Sequence, residues 1–154
     1  MKTGRSEVLN AAKADAENAE GAEIRGRSGL LYRDTSGAIL GAYYAVHSEL
    51  GCGFLEAVYS NALILLLKQA GIKVAREVPF EINFHGQSIG NYRADVIVED
   101  RIIVEVKAGR SLIPQHAAQL LNYLKASRLQ VGLLLNFGEK AEFRRVVCTG
   151  TYPR

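Results

Sequence analysis

Glu105 and Lys107 stand in the run Ile102-Ile103-Val104-Glu105-Val106-Lys107-Ala108, where every other residue is apolar. In a strand side chains alternate, so Ile102, Val104 and Val106 share one face while Ile103, Glu105 and Lys107 share the other. The acid and the amine then project side by side, roughly 7 Å apart along the chain. An ionised carboxylate in so apolar a strand is costly unless paired or bound to a metal. The preceding run, Arg93-Ala94-Asp95-Val96-Ile97-Val98, carries a second acid, and the short turn Glu99-Asp100-Arg101 folds one run back on the other. Depending on register, Asp95 comes near Glu105. Two carboxylates and a lysine on adjacent strands suit phosphoryl transfer. Hard oxygen ligands fit Mg²⁺, which binds phosphate oxygens and lowers the pKa of a water, and lysine adds a compact positive charge. The plainer alternative is a surface Glu–Lys couple with Asp95 at a strand edge.

Helices must carry the remaining candidates. In Gly53-Phe54-Leu55-Glu56-Ala57-Val58-Tyr59, Glu56 and Tyr59 lie three apart and continue through Leu63 and Leu66 along one stripe. That spacing turns Glu56 toward the apolar side; the alternative is a first-turn glutamate favoured by the helix dipole. Gln119 and Tyr123 lie four apart on another helix, with His116 three before Gln119.

These elements follow from periodicity and punctuation. Ile39, Tyr43, Val46 and Leu50 recur at helical spacing, with Thr35 or Ser36 as N-cap and Gly51 as a stop. A second helix runs from Gly53 or Phe54 to about Ala70. Strands are expected over 73–84, 88–98 and 102–108, the first pair joined at His85-Gly86-Gln87, which implies an antiparallel meander. Pro114 opens a third helix to about Ala126. The apolar run 130–137 reads as a buried strand, reached by a crossover and therefore set in a mixed sheet. A last strand is expected over 143–148.

At 154 residues with a net charge of +3 the chain is one domain with a tail, basic enough to tolerate nucleic acid and too weakly so to demand it. Residues 1–28, rich in Ala and Glu, read as a mobile extension and 29–154 as the folded domain. Cys52 and Cys148 give no secreted-type framework and no CxxC zinc pair. No apolar run reaches signal-peptide or membrane-span length, so a cytoplasmic location is expected.

The string Gly53-x-x-Glu56-x-x-Tyr59 resembles the signature of the GxxExxY proteins, a group similar to PD-(D/E)xK nucleases. The resemblance continues through Tyr92-Arg93-Ala94-Asp95, Glu105-Val106-Lys107-Ala108, Gln119-Leu120-Leu121-Asn122-Tyr123 and residues 131–138, covering roughly 30–148. Gln119-x-x-x-Tyr123 also looks like the helix motif of RecB-type nucleases. Ala94 stands where the superfamily name has proline.

The resemblance implies an α/β, restriction-endonuclease-like core: a central mixed sheet flanked by helices (αβββαβ), with an extra N-terminal helix. It implies Asp95 and Glu105 as ligands of Mg²⁺ or Mn²⁺ with the Val106 carbonyl as a third, and Lys107 holding the attacking water. Glu56 would stand at the rim or contact a metal through water, Gln119 and Tyr123 would position Lys107 or the substrate backbone, and Tyr59 would help position substrate. The expected partner is nucleic acid, DNA ahead of RNA, and the architecture allows a homodimer that cuts two strands. The alternative is a catalytically silent nucleic-acid or protein interaction module on the same scaffold.

Overall fold

The computed structural model describes residues 32–150. The boundary expected near residue 28 lies outside them. Three helices, α1 (Arg33–Leu50), α2 (Glu56–Gln69) and α3 (Pro114–Ser127), flank a five-stranded sheet of β1 (Val74–Phe84), β2 (Gln87–Val98), β3 (Ile102–Lys107), β4 (Val131–Phe137) and β5 (Ala141–Val147). Strand order follows the sequence. Only the β3–β4 pair is parallel, as the intervening α3 crossover requires. The mixed α/β sheet expected from the sequence is the one observed.

Two tight turns set the register. His85 and Gly86 take φ of 48° and 75°, the left-handed pair of a two-residue hairpin whose twist matches that of its strands. Glu99 and Asp100 do the same at 53° and 55°, and the Arg101 N–H closes on the Val98 carbonyl at 3.0 Å. Lys73 braces this second turn from the side. Its N–H donates to Glu99 Oε1 at 2.8 Å, and its carbonyl accepts the Glu99 N–H at 2.9 Å. The result pairs Val96 with Val104 and Val98 with Ile102.

Each face of the sheet carries its own core. Val96, Val98, Ile102, Val104 and Val106 pack beneath α1 and α2 against Ile39, Tyr43, Tyr59 and Leu63. Ile97, Ile103 and Leu134 pack beneath α3 against Leu120 and Leu124. The seven residues of β4 are all buried, as a strand covered on both faces must be.

The β1–β2 hairpin changes face along its length. Val98 and Val96 look toward α1 and α2, but Ala94 and Tyr92, of the same parity, lie with Ile97 on the α3 side. Across the ladder, Val74 packs with the first core, whereas Val78 and Phe80 pack with the second. At the crossing Glu77 takes φ of 48°, between the pairs Arg76↔Val96 and Val78↔Ala94. Pro79 lies just beyond, in a strand that forms the edge of the sheet.

A buried polar lock fixes the chain leaving β3. Asn136, fully buried, accepts from the Gly109 N–H and donates to the Gly109 carbonyl, both at 3.0 Å. The Tyr43 hydroxyl donates to the Asn136 carbonyl and accepts from the Glu142 N–H at 2.8 Å. Glu142 Oε1 accepts from the Leu112 N–H at 3.1 Å, and the His47 ring pairs with the Gly138 carbonyl at 2.8 Å. The loop's Gly109 and Leu112 N–H groups thus find acceptors inside the fold.

Some boundaries differ from those expected. α1 begins at Arg33, and Ser36 lies inside it, buried, where its hydroxyl accepts from Arg145 at 2.8 Å. The serine was free to leave the cap position because a strand distant in sequence offered it a donor. β5 starts two residues early, at Ala141, which pairs with Phe137 across a tight turn. Cys52 is exposed, Cys148 is buried and both are free thiols. Among the described residues no helix is long and apolar enough to cross a membrane.

Gly138 offers a test of the lock. A Cβ there would stand 2.8 Å from the Gly109 carbonyl oxygen and 3.1 Å from that of Arg110, backbone atoms already committed to the loop. Gly138→Ala is expected to lower stability by about 1–3 kcal/mol, the usual cost of overpacking, read from urea unfolding. An unchanged midpoint would show that the loop yields freely.

Candidate active site

Asp95, Glu105 and Lys107 come together where β2 and β3 part. The pairing Val96↔Val104 is the last rung of their ladder, so Asp95 and Glu105 lie one step past it on facing strands. Glu105 is 7% exposed and Asp95 is exposed. Lys107, half-buried, follows Glu105 by two residues on the same face of β3, opposite Asn136 of β4. The three residues expected at the site are thus neighbours, and the alternation drawn for β3 is the one observed.

Burial pushes the Glu105 carboxyl up to about 7. A hydrogen bond from Tyr92 works against that rise by favouring the ionised form, the nearby Asp95 carboxyl adds to it, and the Lys107 charge lowers it. Asp95 is close enough to share a hydrogen bond with Glu105. Two carboxyls at that separation compete for one proton, or share one cation.

Tyr92 is the residue that sequence reasoning missed. Its hydroxyl donates to Glu105 Oε1. Its ring stacks on Tyr123 of α3, at 3.3 Å between centroids and 11° between planes, and lies nearly parallel to Phe80 of β1, at 6.2 Å and 16°. Strict alternation along β2 sets Tyr92 and Asp95 on opposite faces, and only the change of face at Glu77 brings both to Glu105. A tyrosine three residues before the acid was visible, but no local signal marks where a hairpin crosses over. Burial and the Glu105 hydrogen bond push the Tyr92 phenol well above its ordinary range. Burial, then the charges of Glu105 and Asp95, raise that of Tyr123, which places Tyr123 beside both acids.

The other candidates stand apart from this cluster or carry a different load. Glu56 is exposed in the first turn of α2, where the helix dipole favours an acid. The expected turn toward the apolar side is corrected: the buried stripe of α2 begins at Tyr59, and Glu56 precedes it. Tyr59 is fully buried, stacked on Phe137 at 4.1 Å. Its hydroxyl donates to the Gly51 carbonyl at 2.7 Å and accepts from the Phe54 N–H at 3.2 Å, tying the α1–α2 turn. It belongs to the core on the far side of the sheet from Glu105. Gln119 is exposed on α3, one turn before Tyr123. His116 turns back to the helix start, its Nδ1 accepting the Ile113 N–H at 3.3 Å.

Among the described residues no three His, Cys, Asp or Glu side chains converge as a metal cluster. Two carboxylates are nonetheless a donor set that fits a magnesium-class ion, which takes one or two protein carboxylates and completes its shell with water and substrate phosphate.

The profile of the PD-(D/E)XK nuclease superfamily matches residues 33–146, which takes in both acids, the lysine and all three helices. The chain belongs to that superfamily. Among solved structures, the crystal structure of SSO0001 is similar, with 18% sequence identity and a TM-score of 0.49 over 91% of this chain and 77% of that one. No curated protein matches the sequence.

The Glu105 environment predicts a pH signature without metal. Its folded value near 7 lies above the ordinary 4.5, so between these values the folded chain binds more protons than the unfolded one. Its contribution to stability is complete below about pH 4.5 and is lost as pH rises through about 7, by about 3 kcal/mol in all. In chelator, Glu105→Gln is expected to flatten this slope and to be the more stable protein at pH 8. Parallel urea-unfolding profiles for the two proteins across pH 4–8 would contradict the assignment.

Proposed function

We propose that this domain is a metal-dependent nuclease that hydrolyses phosphodiester bonds in nucleic acid. The convergence of the Asp95 and Glu105 carboxyls at the open end of the β2–β3 ladder, with Lys107 two residues on, carries the reading. Membership of a nuclease superfamily supports it.

In this reading Asp95 and Glu105 hold a Mg²⁺ or Mn²⁺ ion, with the Val106 carbonyl as a third oxygen donor. When bound, such an ion offsets the negative charge that develops on phosphate during displacement and eases deprotonation of water. Lys107 orients the attacking water and offers a compact positive charge to the phosphate. Lys107 leaves the strand into the loop locked by Asn136, which limits the drift of its backbone. Gln119 and Tyr123 line the approach from α3 and position Lys107 or the substrate backbone. Glu56 serves at the rim, and Tyr59 acts through the turn it ties. DNA is the favoured substrate over RNA, the location cytoplasmic, and a pair of such domains would cut two strands.

A second reading, a silent interaction module, draws on the observation that no third acid joins the pair among the described residues. Salt-sensitive binding of nucleic acid that is indifferent to chelator and yields no product would mark it.

The purified chain is expected to cleave labelled DNA or RNA with Mg²⁺ or Mn²⁺ and to stop in chelator. Asp95→Ala and Lys107→Ala should each reduce the rate by about 100-fold or more, in the range that positioned acid–base groups supply. Equal residual cleavage by wild type and both variants would refute the proposal.

A further inference from the structure

We infer that Tyr92 is a positioning residue for the Glu105 carboxylate, fixing Oε1 so that the remaining lone pairs face Asp95 and a shared divalent cation. The inference rests on the nuclease reading and names the group that prepares its metal site.

Three elements meet to hold the phenol. Tyr123 on α3 stacks on the Tyr92 ring, and Phe80, its cross-strand neighbour on β1, lies nearly parallel to it. A ring stacked in this way loses rotamer freedom, so its hydroxyl is delivered to one place. That place is one oxygen of a carboxylate which is 7% exposed. Tyr92 is only half-buried, on the side of the sheet where Asp95 is open to solvent.

The buried tyrosines of the opposite core behave differently. Tyr43 and Tyr59 donate to main-chain carbonyls and close loops. Tyr92 spends its proton on an acidic side chain instead. Groups that hydrogen-bond a ligating carboxylate orient it for the ion, and their loss commonly weakens metal binding by about 10- to 100-fold. Tyr123, stacked on the same ring, would then act on the site partly through Tyr92, coupling α3 to the acids without touching the ion.

Tyr92→Phe keeps the ring and its two stacking partners and removes only the hydroxyl. In chelator it is expected to give the wild-type circular dichroism spectrum and a cooperative urea transition. By calorimetry at pH 8 its Mn²⁺ dissociation constant should rise about 10- to 100-fold over wild type. Its cleavage should need correspondingly more Mn²⁺ for half-maximal rate yet approach the wild-type rate at saturation, whereas Asp95→Ala should not recover. If wild type binds Mn²⁺ and Tyr92→Phe binds it as tightly, the role of Tyr92 is overturned while the nuclease reading stands. If wild type binds no Mn²⁺, both fall. A Tyr92→Phe chain that does not fold in chelator would also overturn the inference, because the hydroxyl would then serve the fold.

Discussion

A carboxylate inside a strand of valines and isoleucines must be compensated, and the surroundings of Glu105 read as the means. Lys107 lends a charge from the same strand and Tyr92 donates a hydrogen bond to one oxygen, while the Asp95 carboxyl, one step past the last rung of the β2–β3 ladder, adds to the penalty. None of these fully neutralises the acid, whose carboxyl remains well above its ordinary range. Left in that state it destabilises the fold at neutral pH. In the proposed nuclease such a residue would have a use, since the same desolvation that penalises the free anion strengthens its hold on a cation.

Much of this was legible in the chain because the local signals agree with the tertiary arrangement. The Glu99-Asp100-Arg101 turn between two apolar runs dictated an antiparallel pair, and its two left-handed residues set the rung that aligns Asp95 with Glu105. The strict alternation of Ile102 to Lys107 survived because β3 is central and packed on both faces, where a one-residue slip would bury its charges in the wrong core. Pro114 marked the start of α3 within a residue.

What could not be read depended on contacts between distant segments. Ser36 looked like a cap and became a buried acceptor for Arg145, a partner 109 residues away. Glu56 shared a helical stripe with Tyr59 on paper, but the first turn of α2 extends beyond the core that buries the rest. Tyr92 was hidden for a related reason. Periodicity predicts faces only while a strand runs straight, and the β1–β2 hairpin crosses from one core to the other at Glu77. The residue that touches the central acid is therefore the one that alternation sets on the wrong side.

Pro79 has a consequence for the outer edge of the sheet. Beyond the crossing, β1 runs along the margin with Ile82, Phe84 and, on β2, Ile89 open to solvent. An uninterrupted margin of that kind would present a full row of amide donors to any extended peptide that met it. The imino nitrogen of Pro79 breaks the row near its middle. The hairpin can thus carry Tyr92 out to α3 while offering an extended peptide only an interrupted edge.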